Sequence, residues 1–295
     1  MKNYILLFLF TISATAQIKG VVRDSITKEP IAYVSILVEN KEIGTTTALD
    51  GSFEINSKLE TNDNLLFSII GYGISKVKIS NCSNVLLVSK SITLQEVIIK
   101  SQPIKKIEQL VGNAKKSNIY FSFPSYPIMI SKKFEFKSDY KKTPFLKKIK
   151  VITTTEIEGV TFKLRLFKID SLTQLPNESL LNEEIIVKVK RKGKYINEID
   201  LSNYNIEFPK DGLVVGIENI LIIDNLNTFR YKNSENVVKY TEYYEPTILL
   251  NNTNENSYMY DNFRWRKMVD ILKIKISNAK NPKNVEPAIN ITLTN

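Results

Sequence analysis

Residues 44–55 read Gly-Thr-Thr-Thr-Ala-Leu-Asp-Gly-Ser-Phe-Glu-Ile, and this stretch decides the fold of the first third of the chain. Gly44 and the Asp50-Gly51 pair supply turn conformations, and β-branched and aromatic residues flank them. The stretch therefore predicts a β-hairpin. Alternating apolar residues on either side predict further short strands at 18–24, 32–38, 65–72 and 76–79.

An ordered set of residues runs through these strands and turns. It consists of Gly20, Val22, Asp24, Glu29, Pro30, Val34, Gly44, Thr45, Thr47, Asp50, Gly51, Phe53, Leu65, Phe67, Ser68, Gly71 and Tyr72. The set resembles the carboxypeptidase regulatory-like domain of Bacteroidota cell-envelope proteins over residues 18–100. One position departs from that pattern, because Ala48 stands where the family carries an acidic residue.

The resemblance implies a transthyretin-like β-sandwich of about seven strands. Its fold-signature turns would be Gly44, Asp50, Gly51, Phe53, Gly71 and Tyr72. The domain accompanies carboxypeptidases as a folding module and carries no peptidase chemistry itself. Residues 92–99 resemble the segment that closes this domain in TonB-dependent outer-membrane receptors, although a last sandwich strand leading into a linker is the favoured explanation.

The first 16 residues predict a cleaved signal peptide. Lys2 precedes an apolar run at 4–12, and Ala14-Thr15-Ala16 has the small-x-small pattern of a signal-peptidase site. The run is too short to span a bilayer, which takes about 20 apolar residues. We therefore expect an exported protein without a transmembrane span, located in the periplasm or at the outer membrane, with secretion as the alternative.

Beyond the first domain, at 17–100, the sequence predicts a helical linker at 101–118 and a second domain at 119–295. Apolar residues recur at helical spacing in the linker, from Ile104 to Ala114. Aromatic-rich strands follow at 129–137, 146–155, 160–169, 184–189, 194–201, 213–218, 219–223, 237–243, 271–277 and 288–294. So many short strands favour a larger β-sandwich of jelly-roll type, and the fold class is all-β.

The composition excludes several kinds of chemistry. The 295 residues contain no histidine and one cysteine, Cys82, so histidine-dependent catalysis and cysteine or histidine metal sites are excluded within one chain. Ten glycines offer no phosphate-binding loop. We predict no catalytic residue, metal or cofactor. The composition still allows a glycosidase, which needs only two placed carboxylates. Glu156 and Glu158, on one face of a predicted strand, are the candidate pair.

The net charge of +10 comes from short groups of lysine and arginine, such as those at 147–150 and 188–194. In an exported protein these groups could attract anionic lipid or acidic glycan, but not nucleic acid. Solvated strand faces are the simpler explanation, because the basic residues alternate with apolar ones.

Two sets of residues are candidate sites. Tyr258, Tyr260, Phe263 and Trp265 follow an asparagine-rich stretch and could stack on sugar rings, although such aromatic residues more often belong to a core. Ser25 and Ser171 lie in Asp-Ser-Ile and Asp-Ser-Leu triplets, which resemble the acceptor pattern of Bacteroidota O-glycosylation.

We hypothesise a non-enzymatic envelope protein with a binding or scaffolding role, associated with nutrient uptake at the outer membrane. Its partner would be an outer-membrane protein or a glycan, including a carbohydrate bound by the second domain. The alternatives are a carboxylate-based glycan hydrolase and a structural adhesion or assembly subunit. An exposed apolar patch or an unpaired sheet edge would favour the last of these.

Overall fold

The structure of the protein is a computed structural model that describes residues 17–90, 106–232, 236–253, 257–270 and 284–295. The predicted signal peptide at 1–16, the segment at 92–99 and the predicted strand at 271–277 lie outside these residues. Within them the chain is built almost entirely from β-strands, which confirms the all-β class.

Residues 17–90 form two sheets around an apolar core. Their strands are β1 (Ile18–Asp24), β2 (Ser35–Val38), β3 (Gly44–Thr46), β4 (Ser52–Ile55), β5 (Asn64–Ser68), β6 (Ser75–Lys78) and β7 (Asn84–Leu87), with a 3-10 helix at Ile79–Asn81. Over this part of the chain the strand orders are β4-β1-β7 and β3-β2-β5-β6. Val22, Phe53 and Phe67 come from both sheets and are buried between them.

The predicted hairpin at 44–55 is wrong in its pairing. β3 pairs with β2 and β4 pairs with β1, so the two strands belong to different sheets. The connection crosses between the sheets because the buried Thr47 hydroxyl accepts a hydrogen bond from Val34 N–H and donates one to the Ile31 carbonyl, both at 2.8 Å. Gly51 makes the turn at a φ of 75°, where a Cβ would lie 2.6 Å from a backbone oxygen.

The remaining described residues form two larger sheets. Their strands are β8 (Glu108–Asn113), β9 (Ile119–Phe123), β10 (Met129–Phe134), β11 (Phe145–Thr155), β12 (Thr161–Ile169), β13 (Pro176–Ser179), β14 (Ile185–Lys188), β15 (Gly193–Asp200), β16 (Leu213–Asn219), β17 (Leu226–Lys232), β18 (Val238–Asn252), β19 (Tyr258–Asp261), β20 (Arg264–Lys267), β21 (Val285–Pro287) and β22 (Ile289–Thr294). Short 3-10 helices lie at Ser138–Lys142, Ser202–Tyr204 and Ile223–Asn225.

One of these sheets has the order β13-β12-β16-β10-β19-β20, with β14 also paired to β12. The other has the order β17-β18-β11-β22-β8, with β15 paired to β11 and both β9 and β21 paired to β18. Phe162, Ile217 and Ile291 belong to the core that both sheets share. The arrangement agrees with a second sandwich, whereas the jelly-roll and transthyretin-like topologies remain predictions.

Two predictions of local structure are wrong. The predicted helix at 101–118 is not present in the described residues from 106 onward. Residues 108–113 form β8, because they pair with β22 and Gly112 has a φ of 86°, which a helix does not allow. Half-buried Val111 alternates with exposed Leu110, as in a strand with one covered face. The predicted strand at 219–223 fails because Asn219 ends β16 and a 3-10 helix begins at Ile223.

The two parts of the chain are packed against each other. Leu37 of β2 is buried in the core of the larger part, not in that of its own sheets. Nearby, Leu221 N–H donates a hydrogen bond to the Thr46 hydroxyl at 3.0 Å. Contact between the parts is therefore both apolar and hydrogen-bonded.

Candidate functional site

A cleft of about 1560 Å³ opens where the two parts meet. Residues from segment 68–74 line it from the first part, and residues from 165–168, 177–182, 204–210 and 260–265 line it from the second. Ligand pockets for small molecules typically have about 300–1,000 Å³. The cleft is therefore large enough for an extended ligand.

One wall of the cleft is aromatic. Tyr260 and Trp265 face each other across the β19–β20 hairpin, with ring centroids 5.0 Å apart. Phe263, in the turn, lies 6.0 Å from Tyr260, and Phe167 of β12 packs edge-on to Trp265 at 5.4 Å. Three of the four predicted aromatic residues thus come together at the cleft. The fourth, Tyr258, is buried outside it.

A buried network of charged side chains, here called the floor, lies beneath the cleft, which Arg165 and Glu218 of the network line directly. Arg165 Nε is 2.7 Å from Glu218 Oε2, and Arg165 Nη1 is 2.8 Å from Glu184 Oε1. Lys163 Nζ is 3.1 Å from Glu218 Oε1 and 2.7 Å from the Ser35 hydroxyl, which itself donates to Glu218. Because Ser35 belongs to the first part, the network joins the two parts.

The network also reaches the backbone of the first part. Glu184 Oε1, which accepts from Arg165, accepts a second hydrogen bond from Ile70 N–H at 3.0 Å. Ile70 lines the cleft. The same carboxylate therefore positions a lining segment and neutralises a cation.

The environment favours the charged forms of Glu218 and Arg165. Burial acts to raise the pKa of Glu218, but the Arg165 and Lys163 cations outweigh burial and lower that pKa to about 2. Burial acts to lower the pKa of Arg165, but Glu218 and Glu184 outweigh it and raise that pKa. Two cations and two carboxylates leave the floor without net charge. The network therefore offers no excess charge to an ionic ligand.

Tyr260 connects the aromatic wall to the charged floor. Burial, with a smaller effect of the Glu218 charge, raises the pKa of Tyr260 to about 12. The phenol is therefore protonated at neutral pH and can act as a hydrogen-bond donor as well as a stacking surface.

Sequence reasoning missed both the charged floor and Phe167. Lys163, Arg165 and Phe167 occupy alternate positions of β12, and Lys163 lies directly opposite Glu218 of β16. Alternating cations in an otherwise apolar strand were the available signal. The signal was incomplete because the partner strand could be identified only from the pairing of the sheet.

The predicted carboxylate pair does not form a catalytic arrangement in the structure. Glu156 and Glu158 are exposed in the turn between β11 and β12 and do not share a strand face. The buried carboxylate beside this turn is Glu245, which is occupied by structural hydrogen bonds. Its donors are Glu156 N–H at 2.8 Å, Ile157 N–H at 3.0 Å, Asn227 Nδ2 at 2.7 Å, Tyr243 OH at 3.1 Å and the Thr155 hydroxyl.

The described part of the chain contains no group of three or more histidine, cysteine, aspartate or glutamate side chains that could hold a metal ion. It also contains no helix that is long and apolar enough to cross a membrane.

Comparison with protein families gives one match. Residues 18–99 match the family model of the CarboxypepD_reg-like domain. They are a CarboxypepD_reg-like domain. The resemblance seen in the sequence is thereby confirmed, and the matched residues make up a little over a quarter of the chain.

The signature residues of the CarboxypepD_reg-like domain have structural roles. Phe53 is buried and packs edge-on against Phe67, with centroids 5.7 Å apart. Asp50 accepts hydrogen bonds from the N–H and the hydroxyl of Ser52, at 3.0 and 2.6 Å. Gly71 and Tyr72 line the cleft, so this domain supplies one of its walls.

A curated relative is similar to part of this chain. The TonB-dependent receptor SusC of Bacteroides thetaiotaomicron is 33% identical over 106 residues, which is 35% of this chain and 10% of the receptor. The chain thus spans a small part of that protein's length.

Two solved structures resemble the fold more distantly. One is a clostridial cysteine protease, Cwp84, after propeptide cleavage, with 12% identity and a TM-score of 0.39 over 89% of this chain and 65% of that chain. The other contains the cysteine protease and lectin-like domains of Cwp84 from Clostridium difficile, with 11% identity and a TM-score of 0.40 over 89% and 59%. At these TM-scores the likeness carries no argument about activity.

The two predicted acceptor serines lie in surface loops. Ser25 is half-buried in the loop after β1 of the CarboxypepD_reg-like domain, and Ser171 is exposed in the loop between β12 and β13. Neither serine lines the cleft. Any role that they have is therefore separate from the cleft.

A two-stranded ribbon, here called the arm, consists of β17 and residues 238–244 of β18. Phe229 and Tyr240 are 57% and 66% exposed, and the ring of Phe229 stacks with that of Tyr231 at 6.3 Å. Among the described strands β17 pairs with β18 alone, so its outer edge is unpaired. The arm was not predicted as a site.

Proposed function

We propose that the protein is a non-enzymatic cell-envelope component that binds an uncharged glycan in the cleft between its two parts. Its role is in outer-membrane nutrient uptake, on the periplasmic side. The observation that carries the proposal is the aromatic wall of Tyr260, Phe263 and Trp265. It lies beside a floor whose positive and negative side chains balance each other.

The chemistry of the cleft supports a sugar ligand. Aromatic faces bind the apolar faces of sugar rings, and a few polar groups around them fix the orientation. Asn177, Asn182, Asn205 and Asn262 line the same cleft and can donate to and accept from hydroxyl groups. The volume accommodates more than one sugar ring.

The envelope role rests on the comparisons with known proteins. The CarboxypepD_reg-like domain and the similarity of about a third of the chain to the receptor SusC support an association with outer-membrane components. The predicted signal peptide at 1–16 supports export. Because the similarity spans one tenth of SusC, the partner is proposed as an outer-membrane protein without being specified further.

A glycan-array screen of the full chain tests this proposal, with Trp265→Ala as the cleft variant. Tyr240→Ala is the matched control, because it removes an exposed aromatic ring from the arm. We expect neutral glycans to bind, Trp265→Ala to lose at least tenfold in affinity, and Tyr240→Ala to bind like the native protein.

Repeating the screen at high salt distinguishes stacking in the cleft from attraction to the basic surface. Binding that survives salt agrees with stacking in the cleft, whereas binding abolished by salt alone indicates attraction to the basic surface and contradicts the proposal. Release of reducing sugar from a bound glycan would favour the hydrolase alternative. No binding to any glycan would also contradict the proposal.

The arm favours a second candidate, an assembly subunit. An isolated two-stranded ribbon is marginally stable in water, so an arm with both faces exposed fits a role in contacting a partner. Arg230, Lys232 and Lys239 outnumber Glu242 on it. Like charges would meet if two arms paired, so the occupant that fits is an acidic extended segment of another protein.

An octapeptide of alternating valine and glutamate probes this second candidate, with the lysine-for-glutamate peptide as the control. We expect the acidic peptide alone to bind, and Phe229→Ser to weaken that binding. Equal binding of both peptides, or dimerisation of the chain through the arm, would contradict an acidic partner.

A further inference from the structure

A second, smaller cavity of about 240 Å³ lies at a corner of the larger part. It is lined by residues of β14, of β15 and of the loop between them. β14 pairs with β12 of one sheet, and β15 pairs with β11 of the other, so the cavity lies where the chain crosses between the sheets. No residue that lines it also lines the cleft.

The base of this corner cavity is the side-chain amide of Asn197. Asn197 is only 3% exposed, and it lines the cavity. Its Nδ2 donates to the Val151 carbonyl at 3.2 Å and to the Thr153 hydroxyl at 2.9 Å. Because a carbonyl oxygen can only accept, these contacts fix which end of the amide is the nitrogen.

The oxygen end of the same amide is unpaired. Asn197 Oδ1 is buried and accepts no hydrogen bond from the described residues. Buried polar atoms in proteins are nearly always paired, so this oxygen indicates a hydrogen-bond donor on a bound molecule. One water molecule needs about 10–15 Å³ of cavity. The corner cavity is therefore large enough for a molecule much larger than water.

Two lysines lie at the mouth of the corner cavity. Lys188 and Lys190 line it and are exposed, and Val189 between them is buried. In extended chain, residues two apart point to the same side, so both ammonium groups lie on one side of the segment. Within the described residues neither lysine makes an ion pair or a side-chain hydrogen bond. Both cations are therefore available to a ligand.

The acidic residue of the cavity does not neutralise these lysines. Glu198 also lines the cavity, but its carboxylate lies 2.9 Å from Lys148 Nζ and 2.6 Å from Lys150 Nζ. The guanidinium of Arg191 lies 5.1 Å from the centroid of the Tyr195 ring, which adds a further positive charge nearby. The mouth therefore carries excess positive charge, which attracts an anionic group.

We propose that the corner cavity binds a small organic anion that carries hydroxyl groups. The anionic group contacts the ammonium groups of Lys188 and Lys190, and one hydroxyl group donates to Asn197 Oδ1. An anion without a donor leaves the buried oxygen unpaired, and a neutral polyol leaves the cations unpaired. The volume is slightly below the 300–1,000 Å³ of typical ligand pockets, which favours a single small molecule over a chain.

Isothermal titration of the full chain with three six-carbon probes tests this proposal. Gluconate has both a carboxylate and hydroxyl groups, sorbitol has the hydroxyl groups alone, and hexanoate has the carboxylate alone. We expect gluconate to bind at least tenfold more tightly than either of the other two. Equal binding of gluconate and hexanoate would overturn the proposal, because it would show only attraction to a basic surface.

Variants of the lysines locate the binding. The double variant Lys188→Gln, Lys190→Gln should weaken gluconate binding at least tenfold. Lys192→Gln is the matched control, because this lysine is exposed but does not line the cavity. Neither variant should change the binding of neutral glycans in the cleft, so failure of this site is distinguishable from failure of the proposed function. Gluconate binding that survives the double variant would place the anion elsewhere and overturn the proposal.

The role of the buried amide has a test of its own. Asn197→Leu should lower the affinity for gluconate to that for hexanoate, because no oxygen accepts from the ligand hydroxyl group. This variant also loses two internal hydrogen bonds, so the native chain provides a second readout that does not depend on folding of the variant. The side-chain amide signal of Asn197 in a nitrogen-15 NMR spectrum should shift with gluconate and not with sorbitol. An unchanged signal at saturating gluconate, or no binding of gluconate at all, would show that the cavity holds only water.

Discussion

Two hairpins of the larger part present aromatic side chains in contrasting surroundings. The β19–β20 hairpin places Trp265 against Phe167 of β12 and Tyr260 beside the buried Arg165–Glu218 pair. The arm exposes Phe229 and Tyr240 to solvent on a ribbon that no other described strand covers. Similar residue types are therefore part of the packed structure in one hairpin and outside it in the other.

This difference in burial shows which aromatic residues contribute to the stability of the fold and which are available only for binding. At the cleft stability and binding are adjacent in our proposal, because the floor joins the two parts of the chain and the wall beside it would contact the proposed glycan. On the arm, side chains contribute little to folding and are available for binding alone. Substitutions should therefore affect stability strongly at the cleft and weakly on the arm.

The largest expected effect comes from Arg165→Met. This change leaves Glu218 and Glu184 buried without their shared cation, and breaking a buried ion pair in this way costs about 3–5 kcal/mol of unfolding free energy. Urea unfolding measures it. Lys168→Met is the control, because the Lys168–Glu178 pair is exposed and contributes about 0–1 kcal/mol. Equal losses in the two variants would contradict a buried network.

The pH dependence of stability also distinguishes the buried ion pairs of the floor from exposed ion pairs. The folded-state pKa of Glu218 is about 2, below its ordinary value of 4.5, so its contribution is complete above pH 4.5 and is lost as the pH falls toward 2. The difference in melting temperature between the native protein and Glu218→Gln should therefore narrow on acidification.

Glu198→Gln is the control for this pH experiment. Hydrogen bonds from Lys150 and Lys148 lower the pKa of Glu198 to about 2 as well, but that carboxylate is exposed. Its effect should be smaller and should disappear at high salt. If the difference in melting temperature between the native protein and each variant stays constant on acidification, folding does not lower the pKa of Glu218.

The next largest loss of stability should come from removing an aromatic side chain of the cleft. Trp265→Ala removes a half-buried ring that contacts Phe167 and Tyr260, and we expect a loss of about 1–2 kcal/mol. Tyr240→Ala should change stability by about 0.5 kcal/mol or less, because the ring is exposed. Chemical denaturation of both variants provides the comparison. A larger loss for Tyr240→Ala would show that the arm is packed in solution.

Local sequence could predict many of the strands and the grouping of the wall residues, but not the strands β19 and β20 that carry the wall, and not the floor. Tyr260, Phe263 and Trp265 come together because a short hairpin joins them, and hairpins follow from nearby residues. Glu218 meets Arg165 only through the pairing of β12 with β16, which are far apart in the sequence. The pattern of single strands does not contain that information.

The errors in the fold have the same origin. The turn at Asp50-Gly51 was predicted correctly, but Gly44 begins β3, and β3 and β4 pair with β2 and β1 and not with each other. Val111 fitted a helical period, yet β22 offers a long-range partner that makes the segment a strand. Long-range pairing outweighed local preference in both places.

The smallest effect on stability should come from the arm double variant Phe229→Ser, Tyr231→Ser. The two rings contact each other but cover no core, so we expect the unfolding free energy to change by about 0.5 kcal/mol or less. The same variant should lose binding of the acidic octapeptide while keeping glycan binding in the cleft. If it lost both, the arm and the cleft would be one coupled site, and the separation of stability from recognition would not hold. If it lost neither, the exposed aromatic residues of the arm would have no role in binding, and the cleft would remain the functional surface supported by the structure.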